Sequence, residues 1–444
     1  MSAAGGGHQQ AIAALEARLA GTPRGSRPYE HAALAYRIGL ARAESPAGDP
    51  RENLRRALAS YDVALAVFDP RFDPVEHARV LNAAGAAHRG LGRAGKAREL
   101  FERATEVFRG RNRDEELAAA LNNLGLVCSE QGDTAAALTA FDSALPLFDE
   151  ASAEGRRGRA ATLHNRGLAQ ASLGTKEALE AALGDYDLAR ASAGSDDAPY
   201  HHAMLDHSNG VAAMALSALV PEWREQLLHE SISAFEASLQ VFARSDFPFQ
   251  HALAKHNLGR ALAATGDGVG LRHALACFEE TLALLDPRLH GDAWRHAHAG
   301  LEEVEAALRE RGFVGSRPFQ FVSLVAEATP DERRSLLRER LSRLVSLPDM
   351  AREKALAELA RASTMLDGAA LRLYVEAEIG VLMELPNEGL ESALAVRVSA
   401  HRSLPDDARS EADVALDLAV GDALGLSQRI LVRDHLASLG FERP

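Results

Sequence analysis

The stretch 115–145 reads as two amphipathic helices folded back on each other at Gly132-Asp133. In the second, Phe141 and Ala144 lie three apart and so share one face. In the first, Gly125 interrupts an otherwise good helix former, at a cost of roughly 1 kcal/mol against alanine. That cost is offset where a large side chain of the neighbouring helix presses on the backbone, and Phe141 is the candidate knob. The same grammar recurs along the chain. Gly85, Gly125, Gly167, Gly210, Gly259 and Gly300 stand 40, 42, 43, 49 and 41 residues apart. Tyr61, Phe101, Phe141, Tyr186, Phe235 and Phe278 stand 40, 40, 45, 49 and 43 apart. Two independent markers drifting together at one period define a repeat.

The elements follow from this register. A helix is expected over 9–20, with Ile12, Leu15 and Leu19 on one stripe, after a disordered 1–8. The segment 21–28 carries two glycines and two prolines and reads as a linker. Helical hairpins are then expected over 28–69, 75–110, 114–150, 156–193, 198–244 and 247–286, and 292–311 reads as the first helix of a seventh unit. Pro146 should kink or end its helix, and Gly184 marks weaker packing or another close approach. After Gly312 both markers vanish. Leu347-Pro348-Asp349, Leu385-Pro386-Asn387 and Leu404-Pro405-Asp406 set a new cadence, because proline suits a first helical turn. Helices are expected to start near 330, 348, 368, 388, 405 and 426. The domain reading is a tail and short helix over 1–27, a hairpin array over 28–312 and an all-helical region over 313–444 that continues the array, caps it or forms a small bundle.

Composition narrows the function. Apolar residues make up 47% of the 444, enough for a continuous core. The formal net charge of −14 argues against a general nucleic-acid binder, which needs a basic stripe, and disfavours an anionic membrane surface. No basic segment followed by an apolar run opens the chain, and no stretch approaches the ~18 uncharged apolar residues of a membrane span. Cys128 and Cys277 fall in different repeats and read as small packing residues in a reducing cytoplasm. A cytoplasmic protein is therefore expected.

Leu-Asn-Asn-Leu-Gly (121–125), Leu-His-Asn-Arg-Gly (163–167), Asp-His-Ser-Asn-Gly (206–210) and Lys-His-Asn-Leu-Gly (255–259), with Gly-Asp turns and Ala-x-x-x-Phe, resemble the tetratricopeptide repeat. The longer spacing is similar to that of kinesin-light-chain-type repeats. The resemblance covers about 28–312 and implies an all-α fold, a right-handed superhelix of helical hairpins whose first helices line a concave groove. It also implies that the residues two and three before each glycine face that groove. These include Asn82, Asn122, Asn123, His164, Asn165, His207, His256, Asn257 and His298. An asparagine amide both donates and accepts, so such a row can hold the backbone of a bound peptide whatever its side chains. The chaperone-tail-binding variant of the family rings its asparagine with cations. Here Leu126, Leu168 and Val211 follow the glycine, which argues against a carboxylate clamp; only Arg260 departs, and with Lys255 it offers a single anionic contact beside Asn257.

Catalytic and metal readings find little footing. His164, His207 and His256 would be strung along the groove, since packed helices lie ~8–10 Å apart, too far to converge on one zinc ion. Gly266-Asp-Gly268-Val-Gly270 has no strand before it and no G-x-S-x-G elbow occurs. The expectation is a non-enzymatic scaffold or adaptor with no catalytic residue, metal or cofactor, binding a protein or peptide partner in its groove. One rival is a peptide- or small-ligand-gated regulator that sequesters a partner. The other is an accessory factor or enzyme of a biosynthetic or modification system, with chemistry in 313–444, for which a buried arginine or hydrogen-bonded acid pair would be the structural sign. Self-association is left open.

Overall fold

The computed structural model describes residues 3–193, 199–310, 317–384, 387–404 and 406–441, and among these every regular element is helical. Packing divides the chain into two compact units, Met1–Val241 and Phe242–Pro444.

In the first unit α1 (Ala3–Ala20) packs on α2 (Pro28–Ala43), and its start precedes the expected Gln9. Five hairpins follow: α2 with α3 (Pro50–Leu65), α4 (Pro74–Gly90) with α5 (Ala94–Gly110), α6 (Asp114–Glu130) with α7 (Thr134–Ala144), α8 (Ala153–Ala171) with α9 (Lys176–Ser192), and α10 (Pro199–Leu219) with α11 (Arg224–Val241). Turn chemistry sets their ends. At the α6–α7 turn Gly132 takes φ +78°, which a side chain would resist, and Asp133 then caps α7 by accepting from the Ala136 amide at 3.2 Å. Gly48, Gly92 and Gly174 do the same at the other regular turns, whereas the fifth hairpin turns through Pro221–Trp223. Pro146 ends α7, which passes into a 3-10 turn over Leu145–Leu147.

What holds each hairpin is the glycine–aromatic lock. A Cβ on Gly125 would stand 2.4 Å from the Phe141 ring, and one on Gly85, Gly167 or Gly210 would stand 2.7, 2.5 or 2.8 Å from Phe101, Tyr186 or Phe235. Each of these rings is buried to within 1% of full burial. Only glycine lets the backbone approach that closely. The first hairpin has a lock too: Gly39 against Tyr61, at 2.3 Å. Gly184 is exposed with open space around it, so it marks no close approach.

A second device ties the start of a hairpin's first helix to the chain just before it. Helices α2 and α4 open with Pro28-x-x-His31 and Pro74-x-x-His77. Each imidazole reaches back nine residues, His31 Nδ1 to the Thr22 carbonyl at 2.7 Å and His77 Nδ1 to the Phe68 carbonyl at 2.8 Å. A carbonyl only accepts, so Nδ1 carries the hydrogen in both.

The second unit opens with α12 (Pro248–Thr265) and α13 (Gly268–Leu284), and His251 of α12 again reaches back nine residues, Nδ1 to the Phe242 carbonyl at 2.8 Å. The next helix, α14 (Gly291–Glu310), packs on α13. Phe278 serves two glycines here: added Cβ atoms on Gly259 and Gly300 would lie 3.3 and 2.6 Å from its ring. Seven helices complete the unit: α15 (Arg317–Glu327), α16 (Pro330–Val345), α17 (Asp349–Ser363), α18 (Gly368–Leu382), α19 (Asn387–Arg402), α20 (Asp406–Ala423) and α21 (Leu426–Ser438). The expected starts match α16 to α21, although Pro386 and Pro405 of the cadence lie outside the described residues; α15 was not anticipated. These helices pack two apart, α15 on α17, α16 on α18, α17 on α19 and α18 on α20, around a core of Leu337, Leu341, Val375, Ile379, Leu416 and Val420.

Candidate functional site

The polar row along the first helices of the hairpins is present, and in the first unit it is bonded to itself. Asn123 Nδ2 donates to Asn82 Oδ1 at 3.1 Å. Asn122 Oδ1 accepts from Asn165 Nδ2 at 3.0 Å and from Thr162 Oγ1 at 3.2 Å. His164 Nε2 shares a hydrogen with Ser208 Oγ at 2.8 Å. Each bond crosses from one hairpin to the next, and all four of these asparagines are half-buried. The amides that suit a peptide backbone thus bridge consecutive hairpins from α4 to α6 and from α6 to α8, and an imidazole–hydroxyl pair does so from α8 to α10.

The histidines three before the glycines lie against the knobs. His164 meets Tyr186 edge-on at 5.7 Å between ring centres, His207 meets Phe235 at 5.5 Å, and His256 lies 5.6 Å from Phe278. Burial pushes all three imidazoles down to about 4, helped at His256 by the charges of Arg260 and His296. They are neutral at pH 7. His298 behaves differently: it stacks on Trp294 at 5.0 Å and approaches Glu302, one turn on, at 3.5 Å. Asn257 sits half-buried on α12.

The anionic contact expected beside Asn257 is made inside the chain. Lys255 Nζ lies 2.9 Å from Glu339 of α16 and 3.1 Å from Glu280 of α13. Burial alone would raise the Glu280 carboxyl, but the hydrogen bond from His251 and the charges of Lys255 and Arg343 hold it well below the usual range. Arg340 pairs with Glu279 alongside. This seam docks α16 onto α12 and α13 and removes Lys255 from the set available to a ligand.

The row opens between α12 and α14. There a cavity of about 690 Å³ is floored by Leu271, Phe278 and Val304. Arg260 and His256 line it from α12, His296 and Glu303 from α14, with Ala299 on its wall. Arg260, His296 and Ala299 are exposed, as is Glu303. Two of the expected site residues, His256 and Arg260, therefore meet at one cleft. A bound group here would find the Arg260 guanidinium, two imidazoles, the Glu303 carboxylate on the facing helix and an apolar floor.

Residues 313–444 do contain a buried arginine. Arg397 is 2% exposed. Its Nε and Nη2 donate to Glu378 Oε2 at 2.9 and 2.5 Å, and its Nη1 donates to Ser363 Oγ at 3.0 Å. The guanidinium lies 5.8 Å from the Tyr374 ring, and the Tyr374 hydroxyl donates to Glu378 Oε1 at 3.4 Å. These partners are internal and the charge is compensated in place, which suits a core brace rather than a substrate contact. Among the described residues no group of three or more His, Cys, Asp or Glu is placed to hold a metal ion. Cys128 and Cys277 are buried free thiols, and burial pushes the Cys277 thiol up to about 12.

Hairpin after hairpin is closed by the same glycine–aromatic lock. Stacked helical hairpins closed in this way are the arrangement that the resemblance to the tetratricopeptide repeat implies. No protein-family model matches the chain, and no curated protein matches it in sequence. Among solved structures, a tetratricopeptide repeat protein from Parabacteroides merdae ATCC 43184 is 16% identical, with 60% of this chain and 98% of that one covered and a TM-score of 0.33. The P58(IPK) TPR domain is 14% identical, with 92% and 97% covered and a TM-score of 0.27. Among the described residues no helix is long and apolar enough to cross a membrane.

Three features escaped the reading of the sequence. Gly39 stands 46 residues before Gly85, inside the spread of the other spacings, but it lies in a stretch without the Asn/His signature of the later first helices, and its lock with Tyr61 was missed. The Pro-x-x-His helix starts were visible as a repeated motif at 28, 74 and 248, and explain three histidines without a ligand. The Arg397–Glu378 pair is separated by 19 residues with nothing periodic to announce it.

Proposed function

We propose that this chain is a non-enzymatic interaction scaffold that holds a segment of a partner protein in the cleft between α12 and α14. The observation that carries this reading is the cavity itself. It lies where α12 and α14 part, and it joins His256 and Arg260 to an apolar floor of Leu271, Phe278 and Val304. Pockets of a few hundred cubic ångströms with an apolar lining and a few convergent polar groups are the usual form of a binding site. The partner segment places an apolar side chain over Phe278 and an acidic group at Arg260. Asn82, Asn122, Asn123 and Asn165 instead bridge consecutive hairpins of the first unit and set the spacing of their first helices.

Affinity capture from lysate of the native host tests this. Wild type is compared with Arg260→Glu and with Ala299→Trp, which fills the cleft; both positions are exposed, so the helices should form as before. A protein retained by wild type and lost from both variants supports the cleft. Equal recovery on all three baits rejects it.

A further inference from the structure

A second groove lies between α17 and α19, far in sequence from the cleft, with a volume of about 790 Å³. Its two walls are matched stripes. On α17, Met350, Lys354, Ala357 and Arg361 follow at spacings of four, three and four residues. On α19, Ser392 and Ser399 stand seven apart with Ala395 and Val396 between them, and Ser403 follows four on, just past the helix end. Such spacings keep each set on one helix face. Each stripe covers twelve residues, eleven steps or about 16 Å at 1.5 Å per residue.

The chemistry of the walls differs. Lys354 and Arg361 are exposed, two turns apart, and no ion pair engages either among the described residues, in a protein whose net charge is −14. The opposite wall offers hydroxyls, and the buried Ser392 Oγ has no hydrogen-bond partner. Among the described residues the one acid on the lining is Glu353. The floor is made of small residues, so a backbone can come close. At one end Met350 stands 86% exposed, a flexible apolar side chain with nothing over it.

We infer that this groove seats an acidic amphipathic helix of a partner protein. A helix laid along a trough three turns long between two others places residues seven apart on the same side, opposite Lys354 and Arg361. Glutamates at i and i+7 meet the two cations, alanine or serine faces the floor, and a leucine or methionine covers Met350. This is helix-in-groove recognition with charge setting the register. It is independent of the α12–α14 cleft.

The test uses the full chain and a labelled 14-residue helical peptide on an alanine background, with glutamates seven apart and a terminal leucine. Its control carries glutamine at the two acidic positions, and binding is read by fluorescence anisotropy. The glutamate peptide binds wild type, at least tenfold more weakly at 0.5 M than at 0.05 M salt. The Lys354→Glu/Arg361→Glu double variant loses it and instead binds a peptide with lysines in place of the glutamates. Circular dichroism confirms that the variant keeps its helices. No binding of the glutamate peptide, equal binding of the glutamine control, or unchanged binding by the double variant overturns the inference. A mutation-sensitive dimer of the chain itself on sizing, without peptide binding, also overturns it, because the groove would then be filled by a second copy.

Discussion

In the hairpins one glycine and one ring hold each pair of helices, and the next helix along the chain is the partner. In α15 to α21 the main partner is the helix two places on, and none of the described glycines there receives an aromatic ring. Gly380 and Gly421 have open space around them. The packing problem is the same, since helices of similar length must bury one apolar face. The hairpins meet it with a local contact that can be copied. The C-terminal helices meet it with a leucine- and valine-rich core and one buried ionic brace, Arg397 with Glu378. A copied contact leaves a periodic trace in sequence. A brace used once leaves none.

The sharpest way to break the comparison is to remove the brace. Arg397→Leu leaves Glu378 charged and uncompensated in the core and should cost about 3–5 kcal/mol by chemical denaturation. The double variant Arg397→Leu/Glu378→Leu should recover most of that loss, because both desolvation penalties disappear together. A single variant as stable as wild type would show that the pair does not hold the C-terminal helices.

The lock comes next. Gly125→Ala drives a Cβ to 2.4 Å from the Phe141 ring and should cost about 1–3 kcal/mol, with relief when Phe141 is shortened to leucine in the same chain. Gly184→Ala is the matched control in a helix interior with free space, and should stabilise by roughly 0.5–1 kcal/mol. Opposite signs for two Gly→Ala changes in helices of the same array would confirm that packing, not propensity, decides. The same sign at both would refute the lock.

The packed histidines make the array sensitive to acid. His164 and His207 are held near 4 when folded against an ordinary value of 6.5. Between those values the unfolded chain binds more protons than the folded one. Their contribution is therefore intact above about 6.5, shrinks as the pH falls, and is gone below about 4. The melting temperature should drop between pH 7 and pH 5, and His207→Phe should flatten that drop. A slope unchanged by the substitution would remove this histidine as the cause.

The smallest effect is expected from the amide row. Asn123→Ala removes one half-buried hydrogen bond to Asn82 and should cost about 1 kcal/mol, read as a shifted denaturation midpoint.

The hairpins were legible because Gly125 and Phe141 recur as a pair at a spacing no composition produces by chance. Helix starts after 330 were legible because Pro330 opens a first turn, Pro348 stands just before one and Asp367 caps the helix that follows it. The candidate site was legible only in part. His256 and Arg260 were named and do meet at a cleft, but the rule that named His256 also named Asn122 and Asn123, which face neighbouring asparagines. Position on a helix face is written in spacing. Whether the facing side chain belongs to the next hairpin or to open space depends on how far the two helices stand apart, and that distance is set by residues such as Gly300 and Phe278 acting together. Lys255 shows the same limit: its partner Glu339 lies 84 residues away.

The central claim is that a partner enters between α12 and α14 rather than along the asparagine row. A photo-crosslinking residue placed at Ala299 in the cleft, and separately at Asn165 in the row, tests it in lysate of the native host. The account predicts a discrete adduct from position 299, suppressed by Arg260→Glu, and none from position 165. An adduct from position 165 with none from 299 would contradict it.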